Sequence, residues 1–375
     1  MPASAPMIAA WDDLASNAAE PNVFNESWYL LPALQLFGQK TGVRIFTLWH
    51  GVPQRSKLAG LMPVVQHTSY AGLPIAHYQN WLHPNAFLGA PLVRRGYEAA
   101  FWRAILNEID KQPGNALFFH VNAVNTQGPL QHALGTVCKQ DSRQIALVNS
   151  KSRAFLQSDM PAQHYYETSV RAKKRKELRR LHNRLSELGD IQFARLDGTQ
   201  NLDVWTLEFL ALERRGWKGA NGSALDCQDD TRALFTAALQ GAAAQGKLEL
   251  LELRLNGAPI AMLVNFISAP GSFSYKTAFD EDYARFSPGV LLQINNLDLL
   301  ERSDIHWCDS CAAQGHPMID SIWRERRQIG RYSVAIGGAG RRMLFGFILK
   351  AELAKMKWRN HSNQNAGGEI QGAEE

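Results

Sequence analysis

The sequence predicts an α+β (mixed α/β) protein of two domains, and three observations carry that reading. The chain has 375 residues, more than the roughly 100–200 of an ordinary domain. Its 45% apolar and 20% charged residues are those of a globular protein, which excludes wholesale disorder, a collagen-like repeat or a coiled-coil rod. Helical and strand patterns alternate through both halves in a similar order. The expected division is a first domain at 1–160, a second at 161–342, and a terminal helix with a disordered tail at 343–375.

In the first half, 24–38 reads as a helix closed by Gly38. Strands follow at Val43–Trp49 and Lys57–Gln66, around the turn His50-Gly51-Val52-Pro53. Phe101, Trp102, Ile105 and Ile109 have helical spacing within 97–110. A strand at 117–122 and a helix at 128–138 complete this half.

The second half opens with a helix at 169–188, capped by Thr168 or Ser169 and ended by Gly189. Helices at 203–215 and 231–245 follow. Strands at 248–255 and 259–268 are joined by Asn256-Gly257, a hairpin signal because both residues tolerate positive φ. A strand at 272–279, a helix at 289–301, a strand at 305–309 and a helix at 319–327 follow. Residues 343–359 suit a terminal helix, and 360–375 read as disordered.

The net charge of +5 is local. Residues 151–190 carry ten Lys/Arg and five Asp/Glu, while the rest of the chain is balanced. The source is the run SVRAKKRKELRRLHNRLSELG, whose Leu178, Leu181, Leu185 and Leu188 form one apolar stripe. Its cations suit a solvated helix face, an anionic-ligand groove, or salt-sensitive nucleic-acid contact. The N-terminus lacks a basic, apolar leader, and no uncharged apolar stretch approaches about 18 residues, so a cytoplasmic protein without a membrane span is expected. Four cysteines are too few and too unevenly placed for a disulfide framework. No P-loop or serine-hydrolase elbow is present.

The run YKTAFDEDYARFSPGVLL at 275–292 passes from a strand through an acidic, aromatic connection into a helix opened by Ser-Pro-Gly. A helix start with unpaired N–H groups is a ready anion site. Plain capping accounts for the same residues.

The stretches RAKKRKELRRLHNRLSELG, LALERRGWKG, LNGAPIAMLVNF and YKTAFDEDYARFSPGVLL, in this order, resemble the acetyltransferase domain of the BioF2-like/CelD-like group. That group belongs to the GNAT superfamily and is related to the FemAB-type tandem GNAT proteins. The resemblance covers about 165–331 and implies tandem GNAT-like domains, the first more diverged. It further implies N-acyl transfer by direct attack of an amine, with acyl-CoA (acetyl-CoA) as co-substrate. The acceptor is a small or amino-acid-like amine. The alternatives are a FemAB-like transferase using aminoacyl-tRNA and a non-catalytic protein binding an anionic ligand. Arg285, Ser287, Gly289 and Val290 resemble the pyrophosphate-binding loop, with one extra residue in the spacing. No metal is implied.

Candidate chemistry follows. Tyr275 suits a general acid, and Asp309 and His316 suit bases or substrate ligands. Lys276 suits a phosphate or a substrate carboxylate, and Asp280, with Glu281 and Asp282, suits an acceptor amine. Lys173 and Arg175 suit an anionic donor, including tRNA. His306, Cys308, Cys311 and His316 also match a zinc set by residue type. The oligomeric state leaves no signature.

Overall fold

The computed structural model describes residues 4–52 and 56–354. In chain order the elements are α1 (Ala5–Ser16), α2 (Ser27–Ala33), β1 (Arg44–His50), β2 (Lys57–His67), β3 (His77–Asn80), β4 (Leu92–Val93), α3 (Glu98–Lys111), β5 (Phe118–Asn125), α4 (Pro129–Gln140), β6 (Ile145–Leu156) and α5 (Ala162–Ser169). Then come α6 (Ala172–Ser186), β7 (Ile191–Leu196), α7 (Leu202–Arg215), α8 (Trp217–Ala220), α9 (Asp229–Ala244), β8 (Leu248–Leu255), β9 (Ala258–Ser268), β10 (Gly271–Phe279), α10 (Pro288–Asn295), β11 (Trp307–Asp309) and β12 (Glu325–Ala335). A last helix, α11, covers 339–354. The α+β class is as the sequence predicts, with mixed sheets flanked by helices.

The chain folds as two units. One comprises Met1–Asp12, Pro21–Lys40 and Ser152–Arg327; the other comprises Asp13–Glu20, Thr41–Lys151 and Gln328–Glu375. The N-terminal residues 21–40 thus belong with the second half of the chain, a grouping that the boundaries drawn from sequence do not contain.

In the first unit the strand order is β6–β11–β10–β9–β8–β7. β10 and β11 run parallel, and the other pairs named here are antiparallel. The β8–β9 hairpin turns at Asn256 (φ 49°) and Gly257 (φ 81°), as the Asn-Gly signal predicts. One sheet face, with Leu251, Leu253, Ala261 and Leu263, packs under α6 and α10 through Leu178, Leu185, Leu291 and Leu292. The other face carries an aromatic cluster in which Phe266 and Tyr275 meet Tyr29 of α2. Phe235 of α9 stacks on Tyr275 at 6.4 Å and lies 4.9 Å from Phe209 of α7.

In the second unit the order is β1–β2–β3–β5–β12–β6, with β4 pairing β2. Trp102, Ile105 and Ile109 of α3 are buried, as their spacing requires. β3, β4, β6, β7 and β12 carry no strong sequence signal and are absent from the sequence-based expectation.

Three expectations are corrected. The helix read at 169–188 is two: α5 ends at Ser169, Val170 is extended, and Arg171 precedes α6. Thr168 caps nothing; its hydroxyl donates to the His164 and Tyr165 carbonyls within α5. The helix read at 319–327 is a turn leading into β12. Ile319, Ile322 and Trp323 mimic helical spacing because a bent segment buries all three against Leu156 and Leu297. The turn's Pro53, residues 355–359 of the terminal helix and the tail at 360–375 lie outside the described residues.

Candidate functional site

β10 is the element that builds the site. Its pairing with β9 runs regularly to Ser274↔Asn265, then resumes at Lys276↔Val264, so Tyr275 is an extra residue in a β-bulge. In an unbroken strand Tyr275 and Lys276 would face opposite sides of the sheet. The bulge turns both to one side, and Lys276 Nζ stands 5.5 Å from the centre of the Tyr275 ring. The bulge also falls just past Phe273↔Asp309, the last pair of the parallel β10–β11 ladder. β11 ends at Asp309 while β10 continues, so the pairing opens beside the bulge at the carboxyl end of β11, and such an opening is where open α/β sheets hold ligands.

Four further elements reach this point. Tyr29 of α2 places its hydroxyl 3.1 Å from that of Tyr275. Glu213, at the end of α7, is buried; its carboxylate accepts Lys218 Nζ at 2.7 Å and the Leu225 amide at 2.8 Å. Gly219 permits the α7–α8 corner that aims Lys218, since a Cβ there would fall 1.7 Å from the Arg214 carbonyl oxygen. His316 lies on the connection after β11.

Burial lowers the Lys276 ammonium to about 8, and the nearby Lys218 charge adds to the effect. Burial lowers His316 as well; Asp320 opposes this and Lys218 reinforces it. Its Nδ1 is buried without a hydrogen-bond partner among the described residues. Burial holds the Tyr275 phenol well above its ordinary range, so it remains a proton donor. The site therefore holds a lysine that loses its proton more readily than an ordinary one, a histidine disfavoured as the cation, and a protonated phenol.

Asp309 is placed differently. It is fully buried, and its carboxylate accepts Arg153 Nη2 at 2.7 Å, Arg327 Nη1 at 2.9 Å and the Cys311 amide at 3.0 Å. Burial alone would raise it, but the Arg153 and Arg327 guanidiniums outweigh burial and hold the carboxyl below its usual range. This ion-paired carboxylate anchors β11 to β6 and to the start of β12; it is no base.

The start of α10 is partly closed by its own chain. Ser287 has φ 55° and makes no side-chain cap. Its amide bonds the Ala284 carbonyl, and the Val290 and Leu291 amides bond the Ser287 carbonyl. Pro288 has no N–H. Among the first amides only that of Gly289, a buried residue, is left out of these bonds, a poor fit to a pyrophosphate. Gly289 itself makes room for Met318 and Phe279, which a Cβ would meet at 2.9 and 3.3 Å. Arg285 is exposed, its guanidinium 4.7 Å from the Phe286 ring centre.

The remaining candidates lie elsewhere in the unit. Asp280 accepts the Asp282 amide at 3.1 Å and faces Arg215 at 3.8 Å, beside a groove of about 1000 Å³ against α7. Glu281 accepts the Trp217 amide at 2.6 Å, so this acidic turn braces α8. Arg175 donates to the Val170 carbonyl at 2.9 Å, joining α5 to α6, while Lys173 is exposed. Among the described residues no group of three or more His, Cys, Asp or Glu is placed to hold a metal ion.

The sequence named Tyr275, Lys276 and His316; Lys276 and His316 both lie within reach of the Lys218 charge, and Tyr275 lies beside Lys276. It missed Tyr29, Glu213 and Lys218. The GWKG stretch was a signal for Lys218; nothing local marks Tyr29.

Residues 172–316 match the family model described as an acetyltransferase (GNAT) domain. No curated protein matches the sequence. The chain is similar in fold to FemX, with a TM-score of 0.59 at 10% identity, covering 93% of this chain and 99% of that one. A conserved protein of unknown function from Bacteroides thetaiotaomicron matches at TM-score 0.54 and 13% identity, over 88% and 97% of the two chains. The C-terminal domain of a protein described as a lysylphosphatidylglycerol synthetase, from Agrobacterium fabrum, matches at 0.50 and 10%, over 90% and 93%. Residues 172–316 thus match a GNAT acetyltransferase domain, in a chain whose fold is similar to that of FemX, and the protein is a transferase.

Proposed function

We propose that this site transfers an acyl group from an activated donor to the amine of a small or amino-acid-like acceptor. The observation that carries the reading is the bulge, which sets a lysine titrating near 8 beside a protonated tyrosine. The acceptor nitrogen attacks the acyl carbonyl carbon. A C–N bond forms, and the bond from the carbonyl carbon to the leaving group breaks. Lys276 takes the proton that the amine releases, and Tyr275 supplies one to the leaving group. His316 lines the same site and accepts a hydrogen bond from the substrate.

The match to a GNAT acetyltransferase domain supports acyl-CoA as donor, and this reading assigns its phosphates to Arg285 and the Gly289 amide. A second donor, the aminoacyl-tRNA implied by the FemAB resemblance, is favoured by a specific observation. The first turn of α10 offers few amides, whereas α6 packs through Leu178 against Phe286 and exposes Lys173, Lys176, Arg179 and Arg184 close to that turn.

The test is incubation with acetyl-CoA, longer acyl-CoAs and aminoacyl-tRNA over a panel of amines, read by mass spectrometry. Amide product from one donor, lost in Lys276→Ala, is expected. CoA use predicts a thermal shift with CoA that Arg285→Ala removes. tRNA use predicts salt-dependent retention that disappears when Lys173, Lys176, Arg179 and Arg184 are neutralised. No product from any donor overturns the reading.

A further inference from the structure

α10 has the sequence PGVLLQIN, apolar but for its last turn, and its flat packing on the sheet gives an amide no evident reason to be there. Gln293 is nevertheless only 4% exposed. Its Nε2 donates to Ser274 Oγ at 3.3 Å and to Thr277 Oγ1 at 3.4 Å. Ser274 and Thr277 are three residues apart, so a regular strand would put them on opposite faces. The extra residue at Tyr275 changes the parity and brings both hydroxyls under α10. One side chain thereby bonds both sides of the bulge, an arrangement available only in the bulged register.

Gln293 is itself held. Its Oε1 accepts Asn296 Nδ2 at 3.3 Å, and Asn296 Oδ1 accepts Asn265 Nδ2 at 2.7 Å. Asn265 Nδ2 also donates to Glu249 at 2.8 Å, and Glu249 is ion-paired to Arg195 and Arg302. A ladder of buried polar groups thus crosses β10, β9 and β8 beneath α10. Such a ladder helps fix a strand register; within it Asn265 Oδ1 has no hydrogen-bond partner among the described residues.

We infer that Gln293 is a positioning residue that locks the β10 bulge and so orients Tyr275 and Lys276 toward the reacting groups. The inference rests on the acyl-transfer reading for its effect on rate, and on the geometry alone for its effect on Lys276.

The experiment pairs a kinetic and a substrate-free measurement on the full chain. Gln293→Met removes both bonds at nearly constant volume. It is expected to lower kcat by about 10- to 100-fold, with KM within about 3-fold, because misplacement of reacting groups acts on the transition state. Gln293→Glu keeps both bonds with their direction reversed, the two hydroxyls donating to the carboxylate, and restores most of kcat. In a Ser274→Ala/Thr277→Val background, Gln293→Met adds less than about 2-fold, since the partners are already gone. The substrate-free arm follows labelling of Lys276 by acetic anhydride against pH, read by mass spectrometry. Its midpoint moves in Gln293→Met and stays in Gln293→Glu. Wild-type protein that transfers no acyl group but shows this midpoint shift overturns the reaction and retains the positioning role. Independent, multiplying kinetic effects, or a labelling midpoint unmoved in Gln293→Met, overturn the positioning role. Circular dichroism and melting of both variants identify any failure to fold, in which case Gln293→Glu and the Ser274→Ala/Thr277→Val protein decide the question through the labelling midpoint.

Discussion

Tyr275 and Lys276 are adjacent in sequence yet project from the same face of β10, the ammonium 5.5 Å from the ring centre. A strand presents neighbours to one side only where its ladder slips, so the chemistry of the site is written in a pairing irregularity.

The first prediction concerns pH. Lys276 acts as a base only when neutral, and it titrates at about 8. Transfer therefore rises through pH 7–9 and levels off above that range. Lys218→Ala removes a repelling charge, raises the Lys276 value and moves the rising limb to higher pH. Rate profiles of both proteins check it; a limb that moves to lower pH contradicts the assignment.

A second prediction separates Asp309 from catalysis. Asp309→Asn leaves two buried guanidiniums without their carboxylate, a change that costs about 3–5 kcal/mol when a buried pair is broken. A large fall in Tm is expected, with activity lost only in proportion to unfolded protein. The wild-type contribution has a definite sign. The folded carboxyl is depressed, so the stabilisation is present above the unfolded value of about 3.9 and is lost as pH falls through the folded one.

The second unit yields a third prediction. His77 and His120 are buried beside Phe118 and Tyr70, and burial lowers them to about 4 and about 3. Arg331 and the neighbouring histidines push in the same direction; Ser333 bonds His120, and Glu352 bonds Ser333 and Tyr70. Unfolded histidine takes up a proton near 6.5, the folded pair only at far lower pH. Their contribution to stability is complete above about 6.5 and declines as pH falls toward 4. Urea midpoints at pH 7.5 and 5 measure it, and His120→Phe flattens the dependence.

Tyr29 gives a fourth. Tyr29→Phe keeps the ring packing but removes the hydroxyl 3.1 Å from that of Tyr275. Stability falls by about 1 kcal/mol, the net worth of an ordinary hydrogen bond, with up to about 3 kcal/mol if Tyr275 is left unsatisfied. A larger relative loss in kcat than in Tm marks Tyr29 as part of the site.

What could be read from sequence follows from the range of the forces involved. Asn256-Gly257, the α3 periodicity and the α7 and α9 helices are local signals, and the fold honours them. The segment at 319–327 misled because Ile319, Ile322 and Trp323 are buried by a turn with helix-like spacing. Asp309 resembled a base because it is polar and ends a strand; the two arginines that neutralise it arrive from positions 153 and 327. The bulge leaves no glycine or proline to announce it, and Gln293, its clamp, read as one polar residue in an apolar helix.

The bond between Tyr29 and Tyr275 joins positions 246 apart, and the same unit needs Arg327 to complete its ion pair. During synthesis the α2 segment emerges long before its partners exist. At about 5–20 residues per second it waits on the order of ten seconds or more with Phe24, Trp28 and Tyr29 unburied. The transferase unit is therefore completed late, and its earliest residues are those most in need of protection on the ribosome.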